Sequence, residues 1–492
     1  VYSASLLVKL GKSKSLYVFN EKKKVWDVIN HKNSEIGKIK EIVMVEIMNQ
    51  CDEFLPAYKE QIDNLNKKMS ETDDDDEKEE IIAEIEIATT EQSAISKTRT
   101  NIQYNKYVKD VVDVCIHNLM DDDIEAILDK SPDVLPIKNG LLIHLDTGIV
   151  RQRTINDFFT FECPVSYQPQ INNYEHITRF FNNITNNDAE YTRYLQKYLG
   201  YCLTGRITDR TFVISHGEGA NGKSSVYEGL MANILSEFYQ SVSGDAFAEK
   251  HEKSGGGRAT PELMALAKAR LAVFSEGDKE TEINDAKVKN LTGKDTIVAR
   301  ELYKGEIRFK TQAKLNILTN PKPKINVNDK AMKARFRLHP YNVVFDLNDL
   351  EGKRFVEDIQ DKWLNESFSW IVDGAIEWYK TGVLQPAKIC IDHQQEYIRE
   401  LDSVGLWVNE RCEMGDDDHT YFIKPMLAFE DFERFCGNYG HEKLKQKDFF
   451  NVFKTKCNNK KNKKIDGSSC LCYFGIRLKE DNEKLNPVFN WA

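Results

Sequence analysis

The sequence predicts an α/β protein with helical flanks, and three observations predict it. A glycine-rich octapeptide stands between a β-branched strand and a helical stretch, apolar strands ending in polar residues recur after it, and helical apolar stripes fill much of the chain before residue 170. Acids outnumber bases, 78 to 68, so the chain does not coat nucleic acid over its whole surface, and any phosphate contact must be local. Hydrophobic content of 41% with charged content of 30% excludes a disordered, collagenous or disulfide-framework chain. The length of 492 residues fits about three domains.

The chain opens with a hairpin: Leu16-Tyr17-Val18-Phe19 and Val25-Trp26-Asp27-Val28 flank a polar turn. Ile62, Leu65 and Met69 share one helical stripe, and Ile81, Ile82, Ile85 and Ala88 resume one after ten acids between positions 71 and 86. A helical hairpin with an acidic tip in water is expected. Leu135-Pro136-Ile137-Lys138-Asn139-Gly140 is a turn that leads into the strand Leu141-Leu142-Ile143-His144-Leu145. A domain boundary is placed near residue 170, and a second near 382–386, after an amphipathic stretch over 355–379.

Between those boundaries, Gly217-Glu218-Gly219-Ala220-Asn221-Gly222-Lys223-Ser224 fits G-x-x-x-x-G-K-[ST] at every position. Thr211 to Ser215 is a strand pattern and Ser225 onward is helical. Glycines there let backbone N–H groups turn toward phosphate oxygens at a helix N-terminus. Lys223 would reach the β- and γ-phosphates, and Ser224 would place its hydroxyl on Mg²⁺. The strand Arg270-Leu271-Ala272-Val273-Phe274-Ser275-Glu276, read as a neighbour of the loop's strand, ends in a carboxylate that could hold the attacking water; as a structural residue Glu276 would instead cap the next helix. Leu315-Asn316-Ile317-Leu318-Thr319-Asn320 is another strand with a polar end, where the Asn320 amide could orient water or simply begin a turn before Pro321. Thr296-Ile297-Val298-Ala299 and Ile307-Arg308-Phe309 pair as strands around Lys304-Gly305, which leaves Lys304 at the tip.

The last hundred residues mix helical patterns at 426–439 and 447–456 with a strand pair near 470–478. Nine lysines against the single acid Asp448 fall in 443–464; they suit duplex DNA or a solubilising surface equally, and Phe449, Phe450 and Phe453 at helical spacing read as core. Ten cysteines without a C-x-x-C pair read as reduced structural thiols, with the Cys470/Cys472 pair on a strand and not a metal site. No stretch approaches the ~18 apolar residues of a membrane span, and the Val1 end lacks an export signal, so a soluble intracellular protein is expected. Because residue 1 is not Met, the chain is read as a piece of a longer one.

In this order the octapeptide, the strand to Glu276, Lys289-Asn290-Leu291-Thr292-Gly293-Lys294-Asp295, Ala299-Arg300-Glu301-Leu302-Tyr303-Lys304 and Asn320 resemble a superfamily 3 helicase. More narrowly, they resemble the helicase part of the poxvirus-type primase-helicase family of nucleocytoplasmic large DNA viruses and related phage and plasmid replication proteins. The resemblance implies an AAA+ P-loop ATPase core with helical lid over 171–383, a mainly helical collar-type domain over 1–170, and a basic winged-helix-like domain over 384–492. It implies ATP and Mg²⁺ as cofactors, a homo-hexameric ring moving 3′-to-5′ on single-stranded DNA, forked DNA as substrate, and a primase domain or protein among other replication partners. Host cytoplasm is the implied location for a large DNA virus.

Carried onto this sequence, the loop through Ser225 binds nucleotide, Lys223 and Ser224 hold phosphate and metal, Glu276 is the catalytic acid with a metal contact, and Asn320 is the sensor. Ser275 stands where the family has Asp, which leaves that metal contact open. Arg335 matches the finger that reaches a neighbour's γ-phosphate, with Arg337 as runner-up because the family's Arg-Arg pair reads Ala334-Arg335 here. Lys304 is the pore contact to DNA, and Arg300 and Arg308 are weaker candidates. The rival readings are a packaging or loader ATPase that does not unwind, and a non-hydrolysing replication scaffold. No archaeo-eukaryotic primase carboxylate pattern lies within these residues, so a primase domain is expected only upstream.

Overall fold

The structure is a computed structural model that describes residues 8–10, 16–29, 33–104, 124–244, 261–275, 283–293, 295–300, 306–416, 420–441, 443–457, 459–465 and 468–479. The chain divides into two compact units, one of Val1–Ser131 with Gln152–Glu162, the other of Pro132–Arg151 with Cys163–Ala492.

The first unit begins with an antiparallel sheet of β1 (Val8–Leu10), β2 (Leu16–Asn20) and β3 (Val25–Ile29). Asn20 closes the β2–β3 turn, its Oδ1 accepting from the Lys22 N–H at 3.1 Å and the Lys23 N–H at 3.0 Å, the local bonding for which asparagine is favoured in turns. Trp26 is fully buried, stacked on Phe158 at 6.3 Å, and its indole N–H donates to Ile155 O at 3.1 Å. Helices Asn33–Glu71 and Asp75–Asn101 form the hairpin expected from their stripes. Asp74 accepts from Asp76 N–H (3.0 Å) and Glu77 N–H (3.4 Å), which caps the second helix where its dipole favours acids. An ion pair between Arg99 Nε and Asp52 Oδ1 at 2.5 Å requires the two helices to run antiparallel. All ten acids around the turn are exposed.

In the second unit, β4 (Val134–Ile137) and β5 (Leu141–His144) pair around Asn139 and Gly140, and β6 (Val150–Gln152) is the third strand of that sheet. Then comes a mixed helix and sheet core. Its parallel sheet holds β7 (Phe212–His216), β8 (Tyr239–Ser243), β9 (Leu271–Ser275), β12 (Lys314–Thr319) and β13 (Phe336–Pro340) in the order β13-β7-β12-β9-β8. The antiparallel hairpin of β10 (Ile297–Arg300) and β11 (Glu306–Phe309) lies between β9 and β12 in sequence. Four consecutive residues of β7 are buried, so both faces of the strand are covered, as a parallel sheet requires. One expectation is corrected: β9 is not beside β7, because β12 pairs with both and stands between them.

Helices Glu175–Ile184 and Ala189–Leu203 precede the sheet. The stretch read as one amphipathic segment is two helices, Leu350–Gln360 and Leu364–Thr381. They separate before Trp363, which stacks on His176 at 3.9 Å. Helix Leu364–Thr381 approaches Ala189–Leu203 so closely that a Cβ on Gly200 would meet Ala375 N at 2.1 Å.

The chain ends in helices Lys388–Leu401, Ser403–Arg411, Pro425–Tyr439 and Gln446–Phe453, with β14 (Cys412–Met414), β15 (Phe422–Ile423), β16 (Asn459–Ile465), β17 (Ser468–Phe474) and β18 (Ile476–Leu478). Trp407, Phe432, Phe449 and Phe453 are fully buried together at its centre. The described cysteines are free thiols, most of them buried. Among the described residues no helix is long and apolar enough to cross a membrane.

Candidate functional site

The glycine loop follows β7 at the C-terminal edge of the parallel sheet, the side where ligands settle in open α/β sheets. Gly217 N–H donates to Thr319 O at 3.4 Å, which ties the loop to the end of β12. A Cβ on Gly217 would lie 2.1 Å from Asn221 Nδ2 and 2.4 Å from Tyr341 O, so only glycine fits there. Gly219 (φ 108°) and Gly222 (φ 86°) hold left-handed backbone, and Ala220 (φ 47°) shares it. Beyond Ser224, residues Ser225–Met231 wind as a π-helix that continues as α-helix over Ala232–Leu235. A wide turn of this kind is rare and concentrates at functional sites.

Lys223 is only 6% exposed, and its ammonium donates to Gly217 O at 2.7 Å and to Asn320 Oδ1 at 3.0 Å. Two predicted residues, one in the loop that follows β7 and one just past the end of its neighbour β12, therefore meet. Ser224 is exposed at the start of the helix. Asn221 is buried, its Oδ1 accepts from Lys223 N–H at 3.4 Å, and its Nδ2 has no hydrogen-bond partner. Ammonium, orphaned amide and helix N-terminus make a donor set that fits phosphate oxygens. Beside it, burial and then the charges of Lys322 and Lys223 hold the His216 imidazole below its ordinary pKa.

Sequence reasoning missed the segment after β13. Tyr341 N–H donates to His216 O at 2.7 Å and Phe345 N–H to Ala220 O at 2.8 Å, so this segment straps the loop from one side. Ile184 lies on the other side, its side chain 3.1 Å from where a Gly222 Cβ would stand, with Phe345 at 3.6 Å. The available signal was the run of apolar residues Val343, Val344, Phe345 and Leu347 directly after the strand; Val344, Phe345 and Leu347 are exposed in the structure. Beneath the loop, Ser215 Oγ donates to Asn316 Oδ1 at 3.0 Å and Tyr341 Oη to Tyr227 Oη at 3.3 Å, a buried polar layer joining β7, β12 and the π-helix.

Arg335 ends helix Lys330–Arg335, where its Nε donates to Thr292 Oγ1 at 3.2 Å and a terminal nitrogen to Ala331 O at 3.0 Å. The structure thus joins the finger candidate to the Leu-Thr-Gly segment. The same helix is capped by Asp329, which pairs with Lys289 at 2.5 Å; that ammonium holds the Asp329 carboxyl below the usual range. Arg337 donates to carbonyls of its own chain, Ala334 O at 2.9 Å and Phe336 O at 2.7 Å. β10 and β11 pair as read, with Val298 opposite Arg308, and Arg308 is exposed. Lys304 and Glu276 lie outside the described residues, as does the Arg300 side chain.

Fold and site together define a mixed α/β protein whose parallel sheet presents a phosphate-type glycine loop. Residues 4–186 match the family described as D5 N terminal like. The chain is 27% identical over 326 residues to a putative helicase of Acanthamoeba polyphaga mimivirus, covering 63% of this chain and 33% of that protein. It is 29% identical over 157 residues to a putative helicase of Frog virus 3 (isolate Goorha), 31% of this chain and 16% of that one. The chain spans a third or less of the length of these relatives. Among solved structures, the apo C-terminal region of NrS-1 is 12% identical, with 70% of this chain and 82% of that chain covered and a TM-score of 0.43. The stretch over residues 4–186 is thus similar to the N-terminal region of poxvirus D5-type primase-helicases, the family that the motif order resembles.

Proposed function

We propose that this chain is the motor of a viral DNA-replication helicase: an AAA+ ATPase of superfamily 3 that assembles as a hexameric ring and moves 3′-to-5′ along single-stranded DNA at a fork. The observation that carries the reading is the Lys223 ammonium, held between Gly217 O and Asn320 Oδ1 at the C-terminal ends of adjacent parallel strands. A cation fixed there is preorganised for the β- and γ-phosphates of ATP, and Asn320, bonded to it, senses the same oxygens. The left-handed glycines let the loop close around the phosphate chain, and the strap from Tyr341 to Phe345 keeps it in that shape.

Ser224 is the hydroxyl that would meet Mg²⁺, with Glu276 following the end of β9. Mg²⁺, which Ser224 would help to hold, would supply positive charge that offsets the phosphate oxygens. Glu276 is assigned the lytic water, Arg335 a neighbour's γ-phosphate, and Lys304, with Arg300 and Arg308, the strand in the pore. A primase domain or protein completes the replication assembly, in host cytoplasm for a large DNA virus.

Forked-duplex unwinding tests the reading. Purified protein with ATP and Mg²⁺ should separate the strands, and Lys223→Ala should abolish both unwinding and DNA-stimulated hydrolysis. Hydrolysis without strand separation would instead assign a packaging or loader ATPase, and no turnover above the Lys223→Ala control would assign a scaffold.

A further inference from the structure

We propose that Gln360 is a positioning residue of the nucleotide site: its side-chain amide holds the widened first turn of the loop helix and thereby fixes where the Ser224 hydroxyl stands. The inference deepens the ATPase reading and rests on it. The turn is π-helical over Ser225–Met231, and Ala232 N–H donates to Tyr227 O, five residues back. Val226 N–H donates to Gly222 O at 3.0 Å, four residues back, so the chain is still α-wound where it leaves the loop. Gln360, the last residue of helix Leu350–Gln360, donates from Nε2 to Ser225 O at 3.1 Å. Asn233 Nδ2 donates in return to Gln360 O at 3.1 Å, which anchors the glutamine from its backbone side.

Gly229 makes room for this amide. A Cβ there would stand 2.0 Å from Gln360 Nε2 and 2.9 Å from its Oε1, so a methyl group at 229 and the amide in the turn exclude each other. With Tyr341 N–H on His216 O and Phe345 N–H on Ala220 O, the segment 341–360 bonds three carbonyls: before the loop, within it and just after it. The first two donors are backbone groups that any residue except proline supplies. The third depends on a side chain, and only there does the identity of the residue decide.

A π turn carries about one residue more than an α turn. Leu230, Met231, Ile234 and Leu235 are fully buried, so packing fixes the far end of the helix. Tightening the turn to α-helical winding would therefore move the near end, rotating Ser224 about the helix axis by roughly 100°. Lys223 has holders of its own, Gly217 O and Asn320 Oδ1, at the end of a long flexible stem. Ser224 is exposed and makes no side-chain capping bond, so the winding of the turn sets its place. Helix-to-helix packing alone would be met by the Asn233 bond to the Gln360 backbone; it does not call for an amide seated in the turn beside a glycine.

The test is binding of a fluorescent, non-hydrolysable ATP analogue to the full chain, with Mg²⁺ and again with EDTA in its place. Gln360→Met, uncharged and of similar shape but without a donor, should weaken binding about tenfold with Mg²⁺ and leave it unchanged in EDTA. Gly229→Ala should do the same by expelling the amide, although alanine favours a helix over glycine and the melting temperature should not fall. The double variant should bind no more weakly than either single one, because both remove the same contact. Lys223→Ala, by contrast, should lose binding in both buffers. Wild-type affinity in both single variants overturns the proposal. So does equal loss with and without Mg²⁺, or additive losses in the double variant, which a general loosening of the helix would give. A wild type that binds no nucleotide in either buffer overturns the ATPase reading and this inference with it, whereas binding that Gln360→Met and Gly229→Ala leave intact removes this inference alone.

Discussion

Two buried lysines at opposite edges of the parallel sheet, Lys223 in the loop past its C-terminal edge and Lys314 on β12, do different work, and only one was legible. Lys223 was readable because its neighbours form a motif whose chemistry requires a cation. Lys314, at the opposite, N-terminal edge of β12, is 4% exposed and carries no local signal. Its ammonium donates to Thr204 O and to Gln312 O (3.3 Å) and lies 4.8 Å over the Tyr201 ring, at the C-terminus of helix Ala189–Leu203. Arg270 serves the same end, donating to Leu203 O at 2.7 Å and Val134 O at 2.9 Å. Both cations sit where a helix dipole favours them. Burial, and then Arg270, nevertheless pull the Lys314 pKa from 10.5 down to about 7. The unfolded chain thus holds its proton more tightly than the folded one, so between pH 7 and the unfolded value stability should rise with pH, by at most about 1.4 kcal/mol per unit. Denaturant midpoints near pH 7 and pH 9 should show that rise in the wild type and lose it in Lys314→Met. Parallel curves for the two proteins would mean that Lys314 stays protonated throughout.

At the scale of elements, the C-terminal helices are locked by one buried acid. Asp431, at 5% exposure, accepts from Trp407 Nε1 at 3.0 Å and from Arg411 through Nε at 3.1 Å and a terminal nitrogen at 3.0 Å. Removing one member of such a pair strands the other charge and typically costs about 3–5 kcal/mol. Asp431→Ala should therefore loosen this helical cluster first, seen as early proteolysis between residues 403 and 478 while nucleotide binding persists; uniform digestion of the whole chain would count against a local lock. The elements themselves were readable where pattern is local: the β2–β3 hairpin, the two helices beside the acidic turn, and the β10–β11 pair all followed from periodicity and turn residues. Strand order was not, since β12 enters between β7 and β9 by crossovers that no short window encodes. The π-helical start of the loop helix was not legible either, because apolar spacing does not distinguish a widened turn from an α-helical one.

For the whole molecule, the assembly reading stands or falls on Arg335. Within one copy its guanidinium is engaged by Thr292 Oγ1 and Ala331 O, so it is held rigidly at the end of its helix and close to the Leu-Thr-Gly segment. A rigid cation of this kind suits a neighbour's γ-phosphate, whose developing charge it would meet without reorganisation. Arg335→Ala should then bind nucleotide as tightly as the wild type while turnover falls by about a thousandfold or more. Arg337→Ala, which loses only bonds to its own backbone, should be far milder. Mixing decides between trans and cis action: if each site borrows its arginine from the next copy, inactive protein doped into wild type should depress turnover more steeply than its share of the mixture. Turnover that tracks the wild-type fraction linearly would place Arg335 in its own copy's site and remove the principal reason for a ring. The mixture must be assembled before ATP is added, so that exchange between copies does not mask the curvature.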